Sequence, residues 1–283
     1  MFKEALPALR PDIHRYCSRM MGSVIDGEDI LQITLMKAFE ALERGDEVTN
    51  LRSWLFRIAH NSALDFLRSR KREADMIDTA KPLFEADNTM PERSDVTDSL
   101  RPFLALPPRQ RSSVIFRDIF GYTASEVAEL TDSTIASVKA ALHRGRAALL
   151  ATDTETPDQI DPLTDSARAQ LARYAELFNE RDFDQLRDML AAEVRLDLVS
   201  RTHLDGKEQV GTYFGNYDKQ YDWLMMPGRV EGRPAILAFD PENTEKGPIY
   251  FVLVRFEDSE LHFIRDFRYA RYAMDDAQWE RLV

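Results

Sequence analysis

Apolar positions in the first third of the chain recur at helical spacing. The stretch "GEDILQITLMKAFEAL" predicts an amphipathic helix with a buried stripe formed by Leu31, Leu35, Ala38, Phe39 and Leu42. Ile30, Ile33 and Met36 fall outside that stripe and form a second apolar strip. The pattern therefore predicts either a helix buried on two sides within its own domain or a surface that docks onto another protein.

A second helix is predicted over "NLRSWLFRIAHNSALDFLRSRKR", and cations crowd its end: Arg68, Arg70, Lys71 and Arg72. Cations at a helix C-terminus complement the helix dipole, but that effect is about 0.3–1 kcal/mol per residue and needs fewer than four of them. Helical periodicity also aligns Arg57 and Asn61 with Arg68 and Arg72 on one face. Such a face is typical of a surface that follows a phosphate backbone.

A helix-turn-helix is predicted between residues 106 and 150. Pro107 and Pro108 open a helix that Gly121 closes, and Thr123 or Ser125 caps a short helix that ends before the tight turn "TDS". A longer helix follows, with a predicted buried seam of Ile135, Val138, Leu142 and Leu149. In this layout the second helix enters the major groove of DNA, although a solvated helical hairpin has the same pattern.

The predicted second helix carries polar groups of the kinds that contact bases and phosphates. Thr134, Ser137, Ala141 and Arg144 share one exposed strip, and cationic or titratable groups lie beside it. The candidate DNA-contacting residues are Thr134, Ser137, Lys139, Ala141, His143, Arg144 and Arg146.

The last part of the chain changes from helical to strand-like patterns. A helix is predicted from the apolar stripe of Ala167, Leu171, Tyr174, Ala175 and Phe178, and two more are predicted over "DFDQLRDML" and "GKEQVGTYFGNY". Long strands rich in β-branched and aromatic residues are then predicted over "RPAILAFD", "GPIYFVLVRFED" and "ELHFIRDFRYARYAM". Helices followed by antiparallel strands are typical of an α+β domain.

Two stretches rich in acids and prolines, residues 73–98 and 151–166, predict linkers, the first of them flexible. They divide the chain into three predicted domains at residues 1–72, 99–150 and 167–283. The formal net charge of −12 is distributed unevenly: +2 over 1–72, −6 over 73–98, +3 over 99–150 and −11 over 151–283. This asymmetry indicates that only part of the chain contacts a polyanion.

Several features exclude other classes of protein. No apolar run approaches the roughly 20 residues that span a bilayer, and "MFKEALPALR" lacks the pattern of a signal peptide, so we expect a cytoplasmic protein with no membrane contact. The single cysteine, Cys17, cannot form an internal disulfide and is expected to be buried. We expect no metal site and no cofactor.

The two basic blocks resemble the extracytoplasmic-function (ECF) sigma factors of bacterial RNA polymerase. "DILQITLMKAFEAL" looks like the helix with which that family binds the polymerase clamp, although Ile33 replaces the usual acid. The resemblance implies polymerase contacts by Asp29, Ile30, Gln32, Ile33, Met36 and Lys37.

"SWLFRIAHNSALDFLRSRKR" is similar to the stretch with which the family melts the minus-ten promoter element and captures a flipped base. The position of Asn61 is among those that meet this base. We expect Trp54, on the apolar side of this helix, to be a core residue. The minus-ten contacts implied are Arg57, Asn61, Arg68, Arg70, Lys71 and Arg72.

The second block resembles the domain that binds the minus-thirty-five element in the same family. Leu106, Pro107 and Arg111 fit the family's opening motif, and several positions of the recognition helix fit as well. Ala140 and Ala141 stand where Ser-Arg is usual, and "LTDST" lacks the usual Leu-Gly-Val turn. These departures concern the promoter sequence and the affinity rather than the DNA-binding class.

Residues 167–283 look like the SnoaL-like fold, a cone of curved sheet closed by helices. Tyr213, Tyr217 and Trp223 are candidates for a wall that contacts a small-molecule ligand or a neighbouring domain. A catalytic pocket would instead use groups such as Asp197, His203, Tyr213, Tyr217, Trp223, His262 and Asp266. No paired-carboxylate or His-x-Asp spacing recurs among these groups, so a regulatory module is favoured and no catalytic residue is assigned.

The fold class expected is therefore multidomain, with an all-α bundle, a helix-turn-helix and an α+β SnoaL-like cone. The function expected is a sigma factor that binds core RNA polymerase and promoter DNA, is not an enzyme, and is regulated in cis by its C-terminal domain. An anti-sigma partner is left open. The alternatives are a conventional helix-turn-helix regulator and a small-molecule enzyme fused to a DNA-binding module.

Overall fold

The first 80 residues fold as three long helices, α1 (Phe2–Met21), α2 (Val24–Glu43) and α3 (Leu51–Ala80). The computed structural model describes residues 2–80, 100–151 and 163–282. Ser23 caps α2, because its side chain accepts a hydrogen bond from the backbone N–H of Asp26. The helix α3 runs past residue 72, and the rest of the predicted linker, from residue 81 to 98, lies outside the described residues.

Helix α2 packs against both α1 and α3, so it buries two of its faces. Leu31, Leu35 and Ala38 of the predicted stripe are buried, and so is Ile30, which is 0% exposed. The first of the two alternatives for the second apolar strip therefore holds for Ile30, because the packing of α2 between two partners buries a wider face than one helical stripe. This burial removes Ile30 from the surface that was predicted to contact polymerase.

Four short elements and one longer helix follow: α4 (Arg101–Leu104), α5 (Pro108–Val114), a π-helical turn (Ile115–Ile119), α6 (Ala124–Leu130) and the longer α7 (Ile135–Ala151). Thr123 and Glu126 form a reciprocal capping box at the start of α6. The predicted helix-turn-helix is confirmed by the succession of α6, a short turn and α7. These elements and the first three helices belong to one compact unit, Met1–Pro157.

In the turn between α6 and α7, Asp132 takes the backbone conformation that a glycine usually supplies at this position. Asp132 has φ +48°, in the left-handed region where glycine is most at ease. Aspartate is among the residues that enter this region at modest cost, because its short side chain makes local hydrogen bonds.

The second unit, Asp158–Val283, begins with helices α8 (Asp165–Glu180) and α9 (Phe183–Asp188). Strands β1 (Leu190–Leu198) and β2 (Thr202–Asp205) precede helix α10 (Lys207–Tyr217). The remaining strands are β3 (Leu224–Val230), β4 (Arg233–Phe239), β5 (Pro248–Glu257), β6 (Glu260–Asp266) and β7 (Trp279–Arg281). They form one seven-stranded sheet in the order β2-β1-β6-β5-β4-β3-β7.

The pairing of β1 with β6 is parallel, and all other strand pairs of this sheet are antiparallel. Leu171 and Phe178 of α8 and Val210 and Phe214 of α10 share one core with inward-facing residues of the sheet such as Val252. The α+β prediction is confirmed. The predicted strand over "ELHFIRDFRYARYAM" is too long, because β6 ends at Asp266 and a 3-10 turn follows at Arg271–Met274.

Candidate nucleic-acid interface

Helix α3 has one buried face and one exposed cationic face. Leu55, Phe56, Ala59 and Ala63 are fully buried against the other helices. Arg57, Asn61, Arg68 and Arg72 are exposed along the opposite side, as the spacing predicted. Within the described residues, the side chains of Arg57, Asn61 and Arg72 form no hydrogen bond or ion pair, which leaves these groups available to a ligand.

The remaining cations predicted to contact the minus-ten element differ in the contacts that their side chains form. Arg70 reaches Asp26 in the first turn of α2 with 3.1 Å between Nη1 and Oδ2, so it stabilises the bundle. Arg68 forms an exposed pair with Asp65 at 3.3 Å, of a kind that contributes little and yields readily to a stronger anion. Lys71 is exposed.

A cavity of about 340 Å³ lies between the end of α2 and the side of α3. Asn61 and Trp54 line it from α3, and Lys37 and Glu40 line it from α2. The expectation that Trp54 is a core residue was wrong, because its ring is half-buried in the wall of this cavity. Donors, an acceptor and an aromatic ring thus line an open space that is large enough to admit a small planar group.

The predicted polymerase-binding residues separate into two groups. Met36 is 63% exposed and Ile33 is 36% exposed, so both present apolar surface to solvent. Asp29 and Gln32 are partly buried, and Ile30 is buried. Lys37 donates from Nζ to Oγ of Ser62 over 3.2 Å, so its ammonium lies against α3 beside the cavity.

In helix α7, Thr134, Ser137, Lys139, His143 and Arg144 are exposed, as predicted for a recognition helix. Thr134 also caps the helix, since its Oγ1 accepts from the backbone N–H of Ser137 over 3.1 Å. The assignment of Ala141 to the exposed strip was wrong, because this residue is buried beside Val138 and Leu142.

Arg146 is exposed but already engaged. Its guanidinium pairs with both carboxylate oxygens of Asp118, at 3.0 Å from Nε and 2.5 Å from Nη2. This hydrogen bonding raises the pKa of Arg146 and fixes the orientation of the side chain. The pair links α7 to Asp118 of the π-helical turn.

In the second unit, Tyr213, Tyr217 and Trp223 are buried rather than exposed. Tyr213 and Tyr217 donate hydrogen bonds to Oδ2 of Asp266, which is also fully buried. Trp223 packs edge-on against the ring of Tyr217 at 5.7 Å. These contacts favour a core role for the three aromatic residues over contact with another domain.

Asp197 and His203, which were also considered for a catalytic pocket, lie away from Asp266 and the two tyrosines. Asp197 stands between His203 and Arg265 on neighbouring strands, with 3.3 Å to Nδ1 of His203 and 3.0 Å to Nε of Arg265. Asp197 and His203 line an open cleft of about 560 Å³. The sequence grouped these residues with Asp266 and the tyrosines, but the two sets do not share a cavity.

Membrane-spanning helices and clustered metal ligands are both absent from the part of the chain that the structure describes. Across residues 2–80, 100–151 and 163–282, no helix combines the length and apolar character needed to cross a membrane. Nor do these residues contain a cluster of three or more His, Cys, Asp or Glu side chains suited to a metal ion.

Comparison with known protein families assigns the two helical regions separately. Residues 7–73 match the model of sigma-70 region 2, and residues 103–149 match that of sigma-70 region 4. The exposed face of α3 lies within the first match, and α6 and α7 lie almost entirely within the second.

Individual proteins that are similar in sequence to this chain are also sigma factors. The ECF RNA polymerase sigma factor SigG of Mycobacterium tuberculosis is 33% identical over 215 residues, which cover 65% of this chain and 57% of SigG. SigW of Bacillus subtilis, another ECF RNA polymerase sigma factor, is 28% identical over 161 residues, or 52% of this chain and 86% of SigW. The chain thus spans little more than half the length of SigG.

A solved structure aligns over more of the chain. The crystal structure of the Mycobacterium tuberculosis extracytoplasmic function sigma factor SigJ covers 93% of this chain and 95% of its own, at 18% identity and a TM-score of 0.37.

Proposed function

We propose that this chain is an ECF sigma factor, which binds core RNA polymerase and directs it to promoters. The proposal is supported by the matches to sigma-70 region 2 at residues 7–73 and to sigma-70 region 4 at residues 103–149. In this proposal Ile33 and Met36 contact the polymerase. The exposed face of α3 binds the minus-ten element and α7 binds the minus-thirty-five element. These partners imply that the protein acts in the cytoplasm.

The observation that carries this proposal is the pair of cations and the amide on the free face of α3. Arg57 and Arg72 supply charge for phosphate contacts, and Asn61 stands between them at the edge of the cavity that Trp54 and Lys37 line. A flipped base needs a pocket with hydrogen-bonding groups and a stacking surface. A conventional duplex-binding regulator has no use for such a pocket on its first domain.

The test is transcription in vitro by core RNA polymerase from a library of randomised promoters, with and without the purified full chain. We expect the chain to bring about initiation at promoters that share a minus-ten and a minus-thirty-five element. A chain that binds duplex DNA from the library but never supports initiation would favour the conventional helix-turn-helix regulator. Failure to bind either core polymerase or DNA would leave neither proposal standing.

We further propose that the C-terminal unit regulates the sigma regions in cis and is not an enzyme. The candidate acid, base and aromatic groups lie in two separate places, so no single cavity collects them. Residues 151–283 carry a net charge of −11 on the same chain as two mildly basic DNA-binding regions. A tethered partner has an effective concentration on the order of millimolar, so weak contacts become populated.

This second proposal is tested by comparing the full chain with a chain that ends at Pro157, the last residue of the first unit. We expect promoter-specific transcription to differ between them at equal protein concentration, and the difference to shrink as salt screens the charges. Equal transcription at every salt concentration would contradict regulation in cis and would reopen the fused-enzyme alternative. Turnover of a small molecule by the full chain would do the same.

A further inference from the structure

The first turn of α7 exposes a large apolar side chain. Ile135, the first residue of this helix, is 45% exposed, although its spacing from Val138 and Leu142 predicted a buried position. Val138 and Leu142 are themselves buried, so the buried seam of α7 begins one turn later than the sequence indicates. A large part of the surface of Ile135 therefore remains open to water and can be buried by a ligand.

The neighbours of Ile135 add more apolar surface than polar groups to this turn. Ala136 is exposed and carries only a methyl group. Oγ1 of Thr134 accepts a hydrogen bond from the backbone N–H of Ser137 over 3.1 Å, so the orientation of this hydroxyl is fixed by its role as a cap. The first turn of α7 thus presents mostly apolar surface to a ligand.

The cations of α7 lie further along the helix. Lys139, Arg144 and Arg146 follow Ile135 by about one to three helical turns. Lys139 and Arg144 are exposed, whereas Arg146 is held by Asp118 with 3.0 Å between Nε and Oδ2. The apolar and the cationic parts of α7 are therefore separated along the helix axis.

This separation matches the two tasks of a recognition helix. Such a helix enters the major groove with its N-terminal residues against the base edges. If α7 binds the minus-thirty-five element as proposed above, Ile135 and Ala136 lie at the base-contacting end. Lys139 and Arg144 are then placed for contacts with phosphates, which position the helix but carry no sequence information.

An apolar side chain at the base edges has one good partner in the major groove. Thymine carries a C5-methyl group there, whereas the other distinguishing groups of the four base pairs are hydrogen-bond donors and acceptors. A donor or acceptor that lies against Ile135 would lose its water without gaining a partner. A methyl group in the same place would only leave water, which is favourable.

We propose that Ile135 selects an A·T base pair in the minus-thirty-five element through contact of its side chain with the C5-methyl group of thymine, and that Ala136 extends this contact. The inference rests on the proposed function and names a base preference within it. Lys139 and Arg144 supply affinity for any DNA sequence. Ile135 supplies discrimination between sequences.

A departure noted in the sequence increases the weight of this contact. Ala140 and Ala141 stand where Ser-Arg is usual in the ECF sigma factors, so α7 lacks two groups that could read bases by hydrogen bonding. Ala141 is buried, and Ala140 is half-buried. The exposed apolar surface at Ile135 therefore has a larger share in choosing the element.

The experiment measures promoter binding by core RNA polymerase that carries the full chain, on the promoter that the randomised library yields. Each thymine of the minus-thirty-five element, on either strand, is replaced in turn by deoxyuridine, which lacks only the C5-methyl group. We expect at least one replacement to weaken binding about fourfold, the effect of losing one buried methyl group. Equal binding after every replacement, or an element with no A·T pair, would overturn the proposal.

Variants of Ile135 assign the effect to this side chain. Ile135→Ala should weaken binding to the thymine promoter at least about fourfold and abolish the response to deoxyuridine. Ile135→Val keeps a branched apolar side chain and should retain most of the response. Leu150→Ala, at an exposed leucine near the other end of α7, should behave as the wild-type chain. An undiminished response in Ile135→Ala would overturn the role of Ile135.

The outcomes also separate this inference from the function on which it rests. Promoter-specific initiation with no response to deoxyuridine would overturn the methyl contact and leave the proposed function intact. Absence of initiation at every promoter would remove the proposed function and the inference with it. The deoxyuridine series uses the wild-type chain, so its outcome does not depend on the folding of any variant.

Discussion

Tyr217 donates a hydrogen bond to Oδ2 of Asp266 over 2.7 Å in the interior of the C-terminal unit. Tyr213 donates to the same oxygen over 2.9 Å, and the backbone N–H of Arg268 donates to the other oxygen over 2.8 Å. Burial raises the pKa of Asp266, and these donors oppose that shift. The free-energy cost of burying the carboxyl group of Asp266 is therefore kept low only while all three donors are present.

The first prediction follows from this arrangement. Tyr217→Phe removes one donor and should lower the free energy of unfolding of the C-terminal unit by about 1–3 kcal/mol. Urea unfolding would be followed by the fluorescence of Trp223, which packs on Tyr217, in a chain with phenylalanine at positions 54 and 279. Tyr221→Phe, at an exposed ring, serves as the control. Equal losses in the two variants would contradict the prediction.

The second prediction concerns the stability of the first unit at acidic pH. Burial, with repulsion from Arg68 and Arg109, lowers the pKa of His60 from 6.5 to about 4, and its Nδ1 lies 2.8 Å from the hydroxyl of Tyr16. The unfolded chain takes up a proton near pH 6.5, but the folded chain does so only near pH 4. Stability is therefore complete above pH 6.5 and falls between these values, by about 2 kcal/mol at pH 5.

Urea unfolding at a series of pH values, with Trp54 of α3 as the fluorescent reporter, measures this slope. His60→Gln should reduce the loss between pH 7.5 and 5, whereas His143→Gln, at an exposed position of α7, should leave it unchanged. An unaltered slope in His60→Gln would mean that another group is responsible.

The third prediction tests polymerase docking. Met36→Arg and Ile33→Glu each place a charge in the exposed apolar strip of α2, so they should abolish binding to core polymerase with little change in the circular dichroism spectrum. Leu150→Arg makes the same kind of change at an exposed leucine of α7 and should not affect binding. A native-like Met36→Arg variant with wild-type affinity would rule out this strip as the docking surface.

The fourth prediction separates strand opening from duplex binding. Asn61→Ala should slow open-complex formation on duplex promoters, and the rate defect should shrink on templates already mismatched at the minus-ten element. Arg144→Ala should instead weaken binding to all promoters and flatten its dependence on salt concentration. Identical behaviour of the two variants on duplex and mismatched templates would contradict this division.

Local signals in the sequence predicted local structure well. Pro107 and Pro108 mark the start of α5, Gly121 follows the π-helical turn that continues it, and Thr123 caps α6, because prolines, glycines and capping side chains act within a few residues of the chain. The exposed face of α3 was likewise predictable from helical periodicity alone. No contact from elsewhere in the chain was needed for either conclusion.

The errors arose where distant elements decide burial. Ile30 is buried because α1 and α3 cover two faces of α2, and the half-burial of Trp54 depends on a cavity that α2 completes. Ile135 was expected in a buried seam but lies at the exposed start of α7, where no helix covers it among the described elements. The contact of Tyr16 with Phe116 joins residues 100 positions apart, which periodicity cannot reveal.

The parallel pairing of β1 with β6 has a consequence for how the protein is made. Strand β1 is the first of the sheet to leave the ribosome, but its central neighbour begins only at Glu260, close to the end of the chain. Elongation through the 126 residues of this unit takes about 6–25 s at ordinary translation rates. For that interval the helical regions of each new molecule have left the ribosome while the sheet behind them is incomplete, so the regulation in cis proposed above would begin only after synthesis of the chain is nearly complete.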